Sequence, residues 1–148
     1  MFVRDHMTRN VTTLPDDGFL IDAALLIRRT GKRHVPILSA STGKLVGIIS
    51  DRDVARLAPS MLSQQSEEEY NRIFESTPIT MAMTKDPITV TTDATVLEAV
   101  QLLYEKKISG LCVMNGDQLE GIITVTDMLT LLIQMLGESK SSPMSAGD

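Results

Sequence analysis

The stretch Gly47-Ile48-Ile49-Ser50-Asp51-Arg52-Asp53 recurs 74 residues on, from 47 to 121, as Gly121-Ile122-Ile123-Thr124-Val125-Thr126-Asp127. Gly, two isoleucines, a hydroxyl residue, two free positions and Asp return in the same order, which marks an internally duplicated chain. A duplicated chain folds as two like units, so whatever this stretch builds is built twice. Ile48 and Ile49 are β-branched and suit a buried strand, while Ser50 or Thr124, followed three residues later by Asp53 or Asp127, suits a helix start. A hydroxyl and a carboxylate then stand at one helix N-terminus, where unpaired N–H groups and the helix dipole favour anions. Such a corner can accept hydrogen bonds from a ribose diol while its amides face phosphate. The bland alternative is that Ser50 or Thr124, with Asp51 or Thr126, only caps a helix, as such residues often do. Two copies in matched contexts favour the binding reading.

The other segments repeat as well. Val11-Thr12-Thr13-Leu14 reads as a short strand, and Pro15-Asp16-Asp17-Gly18 breaks it and supplies a helix cap. Leu20, Ala23, Ala24 and Ile27 share one helical face, Arg28 and Arg29 suit the last turn, and Gly31 ends the helix. Lys32-Arg33-His34 then leads into a strand over 35–38, in which Pro36 argues for an edge or irregular position. A turn at 39–44 precedes the returning strand 45–50, and a helix begins at Asp53. The second copy opens at Met83-Thr84-Lys85-Asp86, matching Met7-Thr8-Arg9-Asn10. It continues with a strand at Ile88-Thr89-Val90, a Thr95-x-x-Glu98 capping box, a strand from Ile108 to Met114 and an Asn115-Gly116 hairpin signal. Each copy reads strand, helix, strand, strand, helix. Between them, Ser66-Glu67-Glu68-Glu69 looks like a capped helix start with Tyr70, Ile73 and Phe74 at helical spacing.

Composition narrows the function. Of 148 residues, 43% are hydrophobic and 22% charged, ordinary for a globular protein, while aromatics are only 3%, so the core draws on aliphatic residues and nine Met. A net charge of −5 argues against general nucleic-acid binding, which needs a basic stripe. The lone Cys112 sits in an apolar run and is expected as a core filler in a reducing compartment. No run approaches the roughly 18 residues of a spanning helix, and residues 1–5 form no apolar leader, so a cytoplasmic protein without membrane contact is expected. The last helix, 127–136, is apolar almost all round and is expected to be buried against a second subunit, which predicts a homodimer. The tail 137–148 is rich in Ser and Gly and is expected to be disordered.

The duplicated pattern resembles the tandem cystathionine-β-synthase-type (CBS) repeat pair, or Bateman module, over roughly residues 1–136. The features that carry this are Met-Thr before a Val/Ile-Thr strand, Ala23-Ala24 or Ala99-Val100 in the helix, the Arg-His-Val-Pro-Ile-Leu strand and the Gly-Ile-Ile-Ser/Thr-x-x-Asp corner. The connector and the ending look most similar to bacterial acetoin-utilisation B-type CBS proteins, without the ACT domain that commonly follows there. The resemblance implies an α/β (α+β) fold of two β-α-β-β-α repeats, residues 1–58 and 82–136, joined by a connector at 59–81 and packed with pseudo-twofold symmetry. It implies clefts for adenosyl ligands such as AMP, ADP, ATP, NAD or S-adenosylmethionine. By the same resemblance Asp53 and Asp127 bind ribose hydroxyls with Ser50 and Thr124 nearby, and Thr8 with Val11, and Thr84 with Ile88, line the base. Lys32, Arg33 and His34, and their counterparts Ile108, Ser109 and Gly110, stand beside the adenine. Arg33 and His34 fall where family members place cations against phosphate.

The first copy offers Lys32, Arg33, His34 and Arg52, against Ile108, Ser109, Gly110 and Thr126 in the second, so the first is expected to hold a phosphorylated nucleotide better. His34, with an ordinary pKa of about 6.5, is a weak and pH-dependent cation. The leading expectation is a regulatory module that senses an adenine nucleotide and acts on a protein partner. Against an enzyme stand only two His, no nucleophile–base pair, no metal-ligand cluster and no Gly-rich phosphate loop. A ligand-free structural dimerisation module is the alternative.

Overall fold

The computed structural model describes residues 1–57 and 66–141. The start of the expected connector, 59–65, and the end of the tail, 142–148, lie outside these residues. The chain forms two compact units, one of Val11–Pro87 and one of Met1–Asn10 with Ile88–Asp148. The segment that opens each copy therefore belongs to the unit built around the other copy's sheet.

In the unit of Val11–Pro87 a sheet runs in the order β1 (Leu14–Pro15), β2 (His34–Leu38), β3 (Leu45–Ser50), β4 (Thr84–Lys85). β1 is parallel to β2, and the other neighbours are antiparallel. The expected strand at 11–14 is corrected to Leu14–Pro15, because only these residues meet β2, at Ile37 and Leu38. That short overlap also explains Pro36. It lies opposite Ile48 but beyond the end of β1, so its missing N–H interrupts no ladder on that side.

Helix α1 (Leu20–Thr30) starts one residue later than a cap at 15–18 would give: Phe19 is the N-cap, and Asp22 accepts from the Phe19 N–H at 2.8 Å. Gly31 ends it in the left-handed region, at φ 74°, and its N–H donates to the Ile27 carbonyl. α2 (Asp51–Leu57) begins directly after β3, two residues before Asp53. α3 (Glu67–Ser76) has the expected cap, Ser66 Oγ accepting from the Glu69 N–H, and Phe74 buries against Leu20, Ala23, Ile37 and Ile49 with the Tyr70 ring beside it. α4 (Ile79–Ala82) adds Ile79 to the same core.

The second unit repeats the design with a sheet β5 (Thr89–Thr91), β6 (Gly110–Asn115), β7 (Gln118–Thr124) and helices α5 (Val96–Lys106) and α6 (Val125–Ser141). Val3, Val90, Ala99, Leu111, Val113 and Ile123 form its core. Thr95 and Glu98 close the expected capping box. The hairpin loop is Gly116-Asp117, one residue later than Asn115-Gly116, since Asn115 still pairs with Gln118. α6 continues through Gly137 to Ser141, so the first part of the expected disordered tail is helical.

Each opening segment is held by the same device. Met7 packs on Gly121, and the Thr8 N–H and carbonyl pair with Ile122 at 2.8 and 3.0 Å. In the other unit Met83 packs on Gly47, and Thr84 pairs with Ile48. A Cβ on either glycine would meet the methionine, which is why the repeated stretch begins with Gly.

Candidate functional site

Both duplicated stretches fold into a strand that turns directly into a helix, and at each turn one carboxylate oxygen closes a capping box. Asp53 Oδ2 accepts from the Ser50 N–H at 2.8 Å and its hydroxyl at 3.0 Å, while Ser50 Oγ accepts from the Asp53 N–H at 3.2 Å. Asp127 and Thr124 repeat this at 2.9, 3.1 and 3.2 Å. The cap geometry is thus present in both copies, and it fixes the carboxylates while leaving Oδ1 of each outside the box.

The two Oδ1 atoms have different partners. Asp53 Oδ1 accepts from Arg56 Nη2 at 2.9 Å, whereas Asp127 Oδ1 accepts from the Thr8 hydroxyl at 3.3 Å. Asp53 is 9% exposed and Asp127 half-buried. Among the described residues Thr84, the counterpart of Thr8, makes no such bond. Arg56 was not singled out in the sequence; the signal was its place one helical turn after Asp53, where a cation and a carboxylate meet.

The strand entries reach the corners through the backbone. The Arg33 carbonyl accepts from the Asp51 N–H and the Ser109 carbonyl from the Val125 N–H, each at 3.0 Å. His34 lies opposite Ser50, and Gly110 opposite Thr124. Lys32 is half-buried and donates to the Thr12 hydroxyl at 3.2 Å, while Arg33 and Arg52 are exposed.

One sequence expectation needs correction. At the first corner the first-turn amides do not face an open phosphate site: those of Asp51, Arg52 and Asp53 already donate to Arg33 O, Asp51 Oδ1 and Ser50 Oγ. Charge on a ligand there must therefore be met by side chains. Thr8 and Val11 fall in different units, as do Thr84 and Ile88: Thr8 shares its unit with Ile88, Ile108, Ser109, Gly110, Thr124, Thr126 and Asp127, and Thr84 shares its unit with Val11 and the cationic corner. Cys112 is fully buried, and burial pushes its thiol up to about 12, which makes it inert as the sequence suggested.

Within the single chain the last helix is buried on one side only. Leu131 is buried, but Leu129, Leu132 and Ile133 are exposed, Ile133 by 70%. With Leu97, Val100 and Tyr104 of α5, Leu129 and Leu132 border an apolar groove of about 710 Å³. No helix among the described residues is long and apolar enough to cross a membrane, and none of their His, Cys, Asp and Glu side chains cluster as a metal site.

A chain with two strand–helix corners, one on each of two sheets, has known counterparts. The CBS domain model matches residues 3–60 and 79–134. The chain belongs to the CBS domain family. A CBS domain-containing protein of Dictyostelium discoideum is 26% identical over 137 residues, 92% of this chain and 94% of that protein. Other curated relatives are longer, the chain spanning 44% of one and 20% of another. The crystal structure of an acetoin utilization protein (AcuB) from Vibrio cholerae is 34% identical, with a TM-score of 0.74 and coverage of 95% of this chain and 96% of that one. The CBS domain pair of protein MJ0100, solved with 5′-methylthioadenosine and S-adenosylmethionine, is 26% identical, with a TM-score of 0.75 and coverage of 91% and 98%.

Proposed function

We propose that this chain is a regulatory module that binds adenosyl ligands at the Asp53 and Asp127 corners, with ribose hydroxyls donating to the carboxylates. The observation that carries this is the duplication itself: a box that spends one oxygen on the cap and leaves the other outside occurs twice. The likeness to a CBS pair solved with two adenosyl compounds supports the ligand class. In this reading AMP, ADP or ATP prefers the first corner, where Lys32, Arg33 and Arg52 are gathered. One charge-assisted contact is worth about 1.5–3 kcal/mol, or roughly tenfold to a hundredfold in affinity. NAD and S-adenosylmethionine are the other ligands to test. In this reading the module binds without catalysis, the hydroxyl and carboxylate of each corner being closed on one another as a helix cap.

Regulation requires a ligand to favour one of two arrangements of the module and so of its protein partner. The exposed α5–α6 face is the surface we assign to a homodimer. Two helices side by side present an apolar stripe that can meet its own copy across a twofold axis.

One observation favours the ligand-free dimerisation module: the capping boxes are complete without a ligand and explain the Ser, Thr and Asp alone. Thermal unfolding with AMP, ADP, ATP, NAD, S-adenosylmethionine and 5′-methylthioadenosine separates the readings. A ligand at a hundredfold excess over its Kd stabilises by about 2.7 kcal/mol, so a binder raises Tm by several degrees. A flat response to the whole panel, on protein shown to be free of co-purified nucleotide, leaves the dimerisation module.

A further inference from the structure

The two corners share one box but differ at the position three residues after the carboxylate. At the first corner it is Arg56, whose guanidinium sits 2.9 Å from Asp53 Oδ1 while remaining 68% exposed. At the second it is Thr130, whose hydroxyl turns back to the Thr126 carbonyl at 3.0 Å and gives Asp127 nothing. Arg9 and Lys85 follow Thr8 and Thr84 in matching places, so they do not distinguish the corners.

Asp53 is nearly buried, and any hydroxyl donated to Oδ1, the oxygen outside the capping box, arrives beside the Arg56 guanidinium that already donates to it. An unpaired carboxylate there would repel a phosphate carried on the same ribose, and a paired one does not. The helix amides cannot take over this task, because the first-turn N–H groups are already bonded. The Arg56 side chain is largely exposed, so its planar fork has further N–H groups to offer an incoming phosphate while Nη2 stays on the carboxylate.

We propose that Arg56 is the specificity-determining residue of the Asp53 corner: it pairs with the carboxylate so that this corner takes anionic adenosyl ligands as well as adenosine itself, while Thr130 leaves the Asp127 corner selective for uncharged or cationic ones. This rests on the binding function proposed above. It goes beyond that function in assigning selectivity by ligand charge to one helical position in each copy.

The test is calorimetric titration of the full chain with AMP and with adenosine, comparing wild type, Arg56→Thr, Arg56→Lys and Thr130→Arg. Arg56→Thr weakens AMP at least tenfold, leaves adenosine within threefold and flattens the salt dependence of AMP binding. Arg56→Lys keeps AMP within threefold, and Thr130→Arg strengthens AMP at the weaker site about tenfold. Equal losses of AMP and adenosine in Arg56→Thr would make Arg56 merely structural, and unchanged AMP binding would place selectivity on Lys32 and Arg33; either overturns the proposal. A wild type that binds neither compound defeats the binding function itself, which is a different result from binding without selectivity.

Discussion

Replacing Gly121 by Ala tests the packing that joins each opening segment to the opposite copy's strand. The new Cβ would stand 2.6 Å from Met7 Sδ and 2.8 Å from the Thr8 carbonyl oxygen, closer than such atoms approach. Met7 can rotate, but the carbonyl is fixed by its bond from the Ile122 N–H. Either the segment stays under strain, costing about 1–3 kcal/mol as overpacking does, or it moves. Movement sacrifices two backbone hydrogen bonds at about 1 kcal/mol each and loosens the buried Val3, worth up to about 1.5–3 kcal/mol. The cheaper route decides, so the cost is about 1–3 kcal/mol, or a Tm lower by about 2–12 °C for a chain of this size. Urea unfolding and calorimetry measure it. Adding Met7→Ala restores only part, because the backbone clash persists, whereas Met83→Ala restores more of Gly47→Ala. There the side chain is the main obstacle, with the Thr84 carbonyl at 3.0 Å. Gly137→Ala is the control: nothing lies within 4 Å of its Cβ inside α6, so it stabilises by up to about 1 kcal/mol. A Gly121→Ala cost below about 0.5 kcal/mol would refute the close-approach account, since ordinary surface changes reach that value.

The Cys112 thiol, ordinarily near 9.0 and raised to about 12 by burial, stays protonated in the folded chain after the unfolded chain has ionised. Its contribution is intact below pH 9 and is lost as pH rises towards 12, with a slope of up to about 1.4 kcal/mol per pH unit; Cys112→Ala removes that component from the stability profile, and native protein resists thiol reagents at pH 8. The exposed Arg4–Asp93 pair, even with the Phe2 ring 4.5 Å from the guanidinium carbon, is worth less than about 1 kcal/mol. Thermal unfolding of Arg4→Ala should therefore show a Tm lower by no more than about 2–4 °C. Leu132→Glu places a charge on the apolar α6 face; sedimentation should show wild-type dimers and mutant monomers with unchanged helix content.

What the sequence showed clearly was what the duplication repeats. The strands of β3 and β7, the Thr95–Glu98 box, the Ser66 cap and the Gly31 stop each rest on neighbours within a few residues, where local chemistry decides the conformation. The exchange of opening segments was hidden because its cause is long-range: Met7 meets Gly121 and Met83 meets Gly47. The clue was available in the glycine that begins each repeated stretch, a residue with no helix or turn to explain it. The expected strand at 11–14 shrank because β1 overlaps β2 by only two residues, which no local propensity reports. At the site, Asp53 and Asp127 and their hydroxyl partners were legible from spacing alone. That the first amide of each helix was already taken was not legible, because the carbonyls of Arg33 and Ser109, just ahead of β2 and β6, reach it from far along the chain. Arg56 was overlooked because a helical cation next to a carboxylate usually reads as a solvated pair.

The central claim is that two carboxylate corners each hold an adenosyl ligand, and the most direct measurement is the stoichiometry of adenosine binding by calorimetry in wild type, Asp53→Asn, Asp127→Asn and the double variant. The account predicts two sites per chain, one in each single variant and none in the double, with all four proteins folded by circular dichroism. Undiminished binding in the double variant would contradict it, because the ligand would then be held without either carboxylate.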